Sequence, residues 1–193
     1  MAVYKFSTNS LKTPLKYSSW LAGNPVFVPP TDYQSIATTT AGTSTTTLSF
    51  TSIPSTFSHL QIRISGGNGS GQNVRMQFNS DTGLNYMTHR LSANNGTSVS
   101  SGVTGPSWDF INLAGNAGLN QNSPSIVDIL DYTSTSKNKT VRALTGWDNN
   151  GSGYIDYNSG LWFATPAAIT RIDLTQTSNW ANGSTAALYG IKG

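Results

Sequence analysis

The run 160-GLWFATPAAITRIDLTQTSNWANGSTAALYGIK-192 holds two strand-like segments around one loop. Ile169 to Leu174 is β-branched and apolar, with Arg171 and Asp173 interposed, and Ala186 to Ile191 supplies a second short strand. Between them TSNWANGS, residues 177–184, carries the Asn, Gly and Ser chemistry of a turn, so the unit reads as a hairpin. The second segment is expected to be pinned into a sheet. Ile172, Leu174, Leu188 and Ile191 are the expected core positions, and Asn179 to Asn182 around Trp180 the expected exposed tip.

The same signals recur upstream at short spacing. FSHLQIRI, residues 57–64, alternates, with Leu60, Ile62 and Ile64 on one face and His59, Gln61 and Arg63 on the other. After the GGNGSG turn at 66–71, Val74, Met76 and Phe78 repeat the pattern with Arg75 and Gln77 outward. NSDTG, residues 79–83, is a turn leading into a strand over Leu84 to Leu91, in which Asp81 can bond its own backbone and Gly83 can take positive φ. Thr38 to Phe50 is Thr-rich, turns at Gly42 and places Leu48 and Phe50 on one face. Ser125 to Tyr132, Thr140 to Gly146 and Tyr154 to Tyr157 complete the strands, and Lys137 and Lys139 flank Asn138 at a charged hairpin tip. Ser92 to Ser107, rich in Ser, Gly and Asn, reads as a long loop, and Trp108 to Leu113 as a short apolar segment. Many short strands with loops between them predict an all-β chain, an antiparallel, jelly-roll-like β-sandwich over residues 33–193.

Composition agrees. With 36% hydrophobic and 10% aromatic residues the chain can build a core, and 193 residues suffice for one sizeable domain plus an arm. Only 10% of residues are charged and all eight acidic residues are Asp, so the surface is polar chiefly through Ser, Thr, Asn and Gly. Absent Glu and scarce Lys remove the residues that make helix surfaces. A net charge of +3 without a basic cluster argues against nucleic acid as a partner. Without cysteine there is neither disulfide nor thiolate metal site. No apolar stretch has the length of a membrane span, and the N-terminal lysines are not followed by a signal-type apolar region, so a soluble chain without membrane insertion is expected.

Residues 1–32 differ from the rest. Lys5, Lys12 and Lys16 alternate with Tyr4, Phe6, Leu11, Leu15, Tyr17, Trp20 and Leu21, while Pro14, Pro25, Pro29 and Pro30 forbid long regular structure. Large apolar groups without periodicity cannot bury one another locally. The segment reads as an extended docking arm, with packing onto its own domain as the other reading.

Four ordered blocks carry a resemblance: RMQFNSDTGLNYMTHRL (75–91), IVDILDYTSTSKNKTV (126–141), GLWFATPAAITRIDL (160–174) and GSTAALYGIKG (183–193). Together they resemble a β-rich family of tailed-bacteriophage virion proteins found among tail, fibre and appendage components. The resemblance implies a non-enzymatic structural part of the virion, assembled in the host cytoplasm and anchored by the arm to other virion proteins of tail, collar or capsid. It implies a homo-oligomer, a trimer in that family, and host-surface glycan as a further partner in attachment. A capsid decoration protein is the alternative within this class, and a carbohydrate-active enzyme the alternative outside it.

Several motifs offer candidate sites. DNNGSGYIDYNS, residues 148–159, places Asp148, Asn150, Ser152 and Asp156 at ligand positions of an EF-hand-like loop, but its twelfth position is Ser159 and its flanks are strands, so it reads as a weak calcium candidate at best and otherwise as an Asn/Gly turn. No cofactor is indicated. His59 and His89 lie on separate strands without Cys or Glu partners, and no GxSxG elbow exists. Asp128 and Asp131 could resemble a glycosidase pair, but their odd spacing puts them on opposite faces. Among aromatics near loops or strand ends, Trp108 and Trp162 stand in apolar contexts that favour packing. Trp147, Tyr154 and Trp180, set among Asn, Asp and Gly, are the glycan-contact candidates.

Overall fold

A computed structural model describes residues 32–67, 73–95, 97–108, 110–115, 123–148 and 150–192. The chain falls into two units, Met1–Thr31 and Asp32–Gly193, and the described residues belong to the second. The arm residues Tyr4, Phe6, Leu11, Leu15, Tyr17, Trp20 and Leu21 lie outside them.

The described residues form strands and no helix: β1 (Tyr33–Thr40), β2 (Thr47–Phe50), β3 (His59–Ser65), β4 (Asn73–Phe78), β5 (Tyr86–Asn94), β6 (Thr97–Trp108), β7 (Ile111–Gly115), β8 (Ser125–Ile129), β9 (Lys139–Asp148), β10 (Gly153–Trp162), β11 (Ile172–Thr175) and β12 (Thr185–Ile191). They make two antiparallel sheets, one of eight strands in the order β1-β12-β3-β8-β9-β10-β5-β6 and one of four in the order β2-β11-β4-β7. The chain is therefore an all-β antiparallel sandwich. Alternation explains the core: Leu60, Ile62 and Ile64 of β3 meet Val127 and Ile129 of β8, Val141 and Ala143 of β9, and Ala186 and Leu188 of β12 on the inner face of the large sheet. Leu48, Phe50, Val74, Met76, Phe78, Ile111, Leu113, Ile172 and Leu174 close the core from the small sheet. Ile191 is only half-buried.

The expected C-terminal hairpin is not formed. β11 pairs β2 and β4 in the small sheet, whereas β12 pairs β1 and β3 in the large one. The loop between them crosses from sheet to sheet, donating from Gln176 N to Thr46 O (3.0 Å), Trp180 N to Thr45 O (2.8 Å) and Gly183 N to Ala41 O (3.0 Å). Turn-forming residues ensure that the chain bends, but each strand already has a partner on both edges. The segment 38–50 likewise divides, β1 going to the large sheet and β2 to the small.

Other expectations also change. Most of the supposed loop 92–107 is strand, because β5 runs on to Asn94 and pairs antiparallel with β6 from Thr97, Leu91 opposite Ser101. In the 79–85 turn Asp81 does bond its own backbone, accepting from Gly83 N at 2.8 Å. Positive φ falls on Asn79 (50°) and Ser80 (58°) instead of Gly83. A Cβ on Gly83 would lie 2.6 Å from Asn85 Nδ2 and 2.9 Å from Asp81 Oδ1, so a side chain there would crowd the Asp81–Asn85 hydrogen bonds. Lys139 is buried, not a tip charge: it lies on the inner face of β9, and its Nζ donates to the carbonyls of Ser134 (2.5 Å) and Lys137 (2.7 Å). Burial holds its pKa below the ordinary lysine value, against the opposing pull of Asp131.

On the other face of the large sheet, Ile126, Leu144, Tyr157 and Leu91 stand directly opposite one another on β8, β9, β10 and β5. All four are exposed, at 44%, 48%, 43% and 50%. They form one apolar row across four neighbouring strands.

Candidate functional site

The β9–β10 hairpin carries two of the aromatic residues singled out in the sequence. Trp147 and Tyr154 are a directly opposed pair near its tip, flanked by the Asp148–Gly153 pair. The turn closes through left-handed Asn150 (φ 40°) and Gly151 (φ 110°), with Asn150 N donating to Asp148 Oδ1 at 3.1 Å. A second tip is fastened alongside. Asn95, itself left-handed at φ 50°, donates its N–H to Gly153 O (2.9 Å) and accepts from Gly153 N through Oδ1 (2.9 Å).

Between these tips lies an open cleft of about 540 Å³, lined in part by Asn95, Trp147, Asp148 and Tyr154. Tyr154 is held at two points by groups that are themselves paired. Its hydroxyl donates to Asp156 Oδ2 at 2.9 Å, Arg90 lies 5.2 Å from its ring centroid, and Arg90 Nε pairs with the same Asp156 oxygen at 2.6 Å. Asp156 is wholly buried, and desolvation pushes its carboxyl above the ordinary carboxylate value although the Arg90 charge opposes this. A ring fixed by both its hydroxyl and its face presents a set surface. With a Trp beside it and an amide and a carboxylate at the rim, the cleft suits a ligand having one flat C–H face and several hydroxyls.

The remaining sequence candidates are dispersed. Trp180 is 2% exposed, because the loop that carries it is drawn against Thr45 and Gly67 and seals the sandwich instead of projecting as a tip. Asp156 does not join Asp148, Asn150 and Ser152 in a calcium loop: it faces inward on β10, paired with Arg90. Among the described residues no cluster of three His, Asp or Glu side chains could hold a metal ion. His59 and His89 stand on β3 and β5, separated in the sheet by β8, β9 and β10. His59 Nδ1 accepts from the backbone N–H of Asp131 at 3.0 Å; the Asp131 carboxylate accepts from Lys137 Nζ at 2.9 Å and Asp128 Oδ1 from Gln61 Nε2 at 2.8 Å, so each carboxylate is engaged by a different neighbour. Trp162 is buried and donates Nε1–H to Asp81 Oδ2 at 2.6 Å.

Arg90 and Asn95 were not singled out from the sequence. Their one sequence signal is the reversed alternation of YIDYN, residues 154–158, whose polar Asp156 and Asn158 are buried while Ile155 and Tyr157 face solvent. A buried carboxylate on a strand demands a cation from a neighbouring strand. Set against family models, curated proteins and solved structures, the chain matches none.

Proposed function

We propose that this chain is a structural component of a phage particle, a tail or appendage protein that attaches through residues 1–32 and holds host-surface saccharide in the Trp147–Tyr154 cleft. The observation that carries the saccharide reading is the fixed Tyr154 ring beside Trp147, with Asn95 and Asp148 lining the same cleft. Aromatic faces held in advance lose little entropy when a sugar stacks on them. The particle reading rests on the four sequence blocks, which coincide with ordered pieces of the sandwich: β4 to β5, β8 to β9, the end of β10 through β11, and β12.

Two measurements test the two halves separately. Purified particles analysed by mass spectrometry should contain the chain, with label density on the tail; label on the shell would move it to the capsid surface, and its absence from particles ends the structural reading. On a glycan array, Trp147→Ala and Tyr154→Ala should each weaken binding about tenfold or more. Unchanged binding by both variants refutes the cleft, and turnover of a polysaccharide by the purified chain would make it an enzyme.

A further inference from the structure

The exposed row on the large sheet has an internal symmetry. Its centre falls between β9 and β10, with Leu144 and Tyr157 as the inner pair and Ile126 and Leu91 as the outer pair. We propose that this face pairs with the same face of a second copy, about a twofold axis parallel to the strands between β9 and β10, giving a dimer in place of the trimer that the sequence resemblance implies.

Such an axis keeps each cross-strand row in place and reverses strand order. Leu144 of one copy then lies over Tyr157 of the other, and Ile126 over Leu91. In the row on one side, Ile155, 55% exposed, lies over Gly146, its directly opposed neighbour in the sheet. A large side chain thus meets a position without one, twice by symmetry. On the other side the row runs Asp128, Arg142, Ser159, His89. Reversed, it sets Asp128 over His89 and Arg142 over Ser159, so no like charges face each other. Arg63, next along the apolar row, meets Ser101. The apolar and steric patterns are therefore self-complementary about one axis, and the charges place no like pair face to face, as an isologous contact requires. Face-to-face sheets keep their strand directions within about 30° of each other, and an axis parallel to the strands meets that requirement.

The test uses the full chain in sedimentation equilibrium. The wild type should give a two-chain mass. Leu144→Lys and Tyr157→Asp should each give a one-chain mass while keeping a cooperative melting transition, lowered because the partner no longer stabilises the fold, and an equimolar mixture of the two should recover a two-chain species, because the introduced cation and anion then face each other across the axis. Ile155→Ser is the milder probe if a charged variant fails to fold, and should raise the dissociation constant at least about tenfold. A wild-type mass of one chain or of three, variants that still pair, or a mixture that stays monomeric each overturns the proposal.

Discussion

Asp81 is the residue on which local and distant structure meet. Its carboxylate takes the Gly83 N–H at 2.8 Å, the Asn85 amide at 3.0 Å and the Trp162 indole at 2.6 Å, while its carbonyl accepts from the Tyr86 hydroxyl at 3.0 Å. Tyr86 in turn accepts from Phe78 N at 3.1 Å, tying β4 to β5. The turn half of this arrangement was legible, because Asp followed by Gly two residues on is local chemistry. The Trp162 half was not, since nothing in the sequence says which aromatic of a distant strand reaches the turn. Trp162→Phe keeps the ring contact with Phe78 (centroids 5.5 Å apart) but removes the indole donor. A hydrogen bond to a charged group is worth about 1.5–3 kcal/mol, so urea unfolding should show a loss of that order, and a loss below about 0.5 kcal/mol would mean that the bond contributes little. The burial of Trp180 is illegible in the sequence for a related reason. Its neighbours are Asn, Ala, Gly and Ser, which mark a loop, but whether a loop projects or seals depends on where its backbone is bonded.

At the scale of elements, strands announced by alternating apolar residues were legible and those without were not. β3 and β4 each carry three alternating apolar residues and were placed nearly to the residue. β6, TSVSSGVTGPSW, offers no such alternation and took its place by backbone pairing with β5. Partner choice was the least legible property, as the separation of β11 and β12 into different sheets shows, because pairing is decided by contacts between sheets. One such contact is Gly160 of β10 beneath Ile111 of β7: a methyl built on Gly160 would overlap the Ile111 side chain. Gly160→Ala should therefore cost about 1–3 kcal/mol by overpacking. Ile111→Ala alone should cost about 2–5 kcal/mol by leaving a cavity. In the double variant the new methyl occupies part of that cavity, so the loss should be smaller than the two single losses added. Strict additivity in chemical denaturation would show that the two residues do not share this space.

For the whole molecule, sparse charge, missing Glu and abundant Thr left an antiparallel sandwich as the consistent outcome, and the sheets have that form. The exposed apolar row and the pairing of buried Asp156 with Arg90 were not legible, since both depend on strand order. With so few charges, the acid limb of stability is governed by individual carboxylates, and two of them act in opposite directions. Burial pushes Asp156 above the ordinary value of 3.8, against the Arg90 charge. Burial would raise Asp81 as well, but the hydrogen bonds from Trp162, Gly83 and Asn85 together outweigh it and hold its carboxyl below 3.8. Between 3.8 and the folded pKa of Asp156 the folded state binds the proton more readily than the unfolded chain, so this residue favours folding increasingly as pH falls, levelling off below 3.8. Asp81 has the reverse sign: its contribution is complete above 3.8 and is lost as pH falls through its depressed folded pKa. Melting temperatures recorded against pH should therefore separate the two, Asp156→Asn flattening the dependence just above 3.8 and Asp81→Asn flattening it below. A slope above 3.8 that survives Asp156→Asn unchanged would place the titrating proton elsewhere, and with it would go the view that the large sheet holds Tyr154 in place by means of a buried, charge-paired carboxylate.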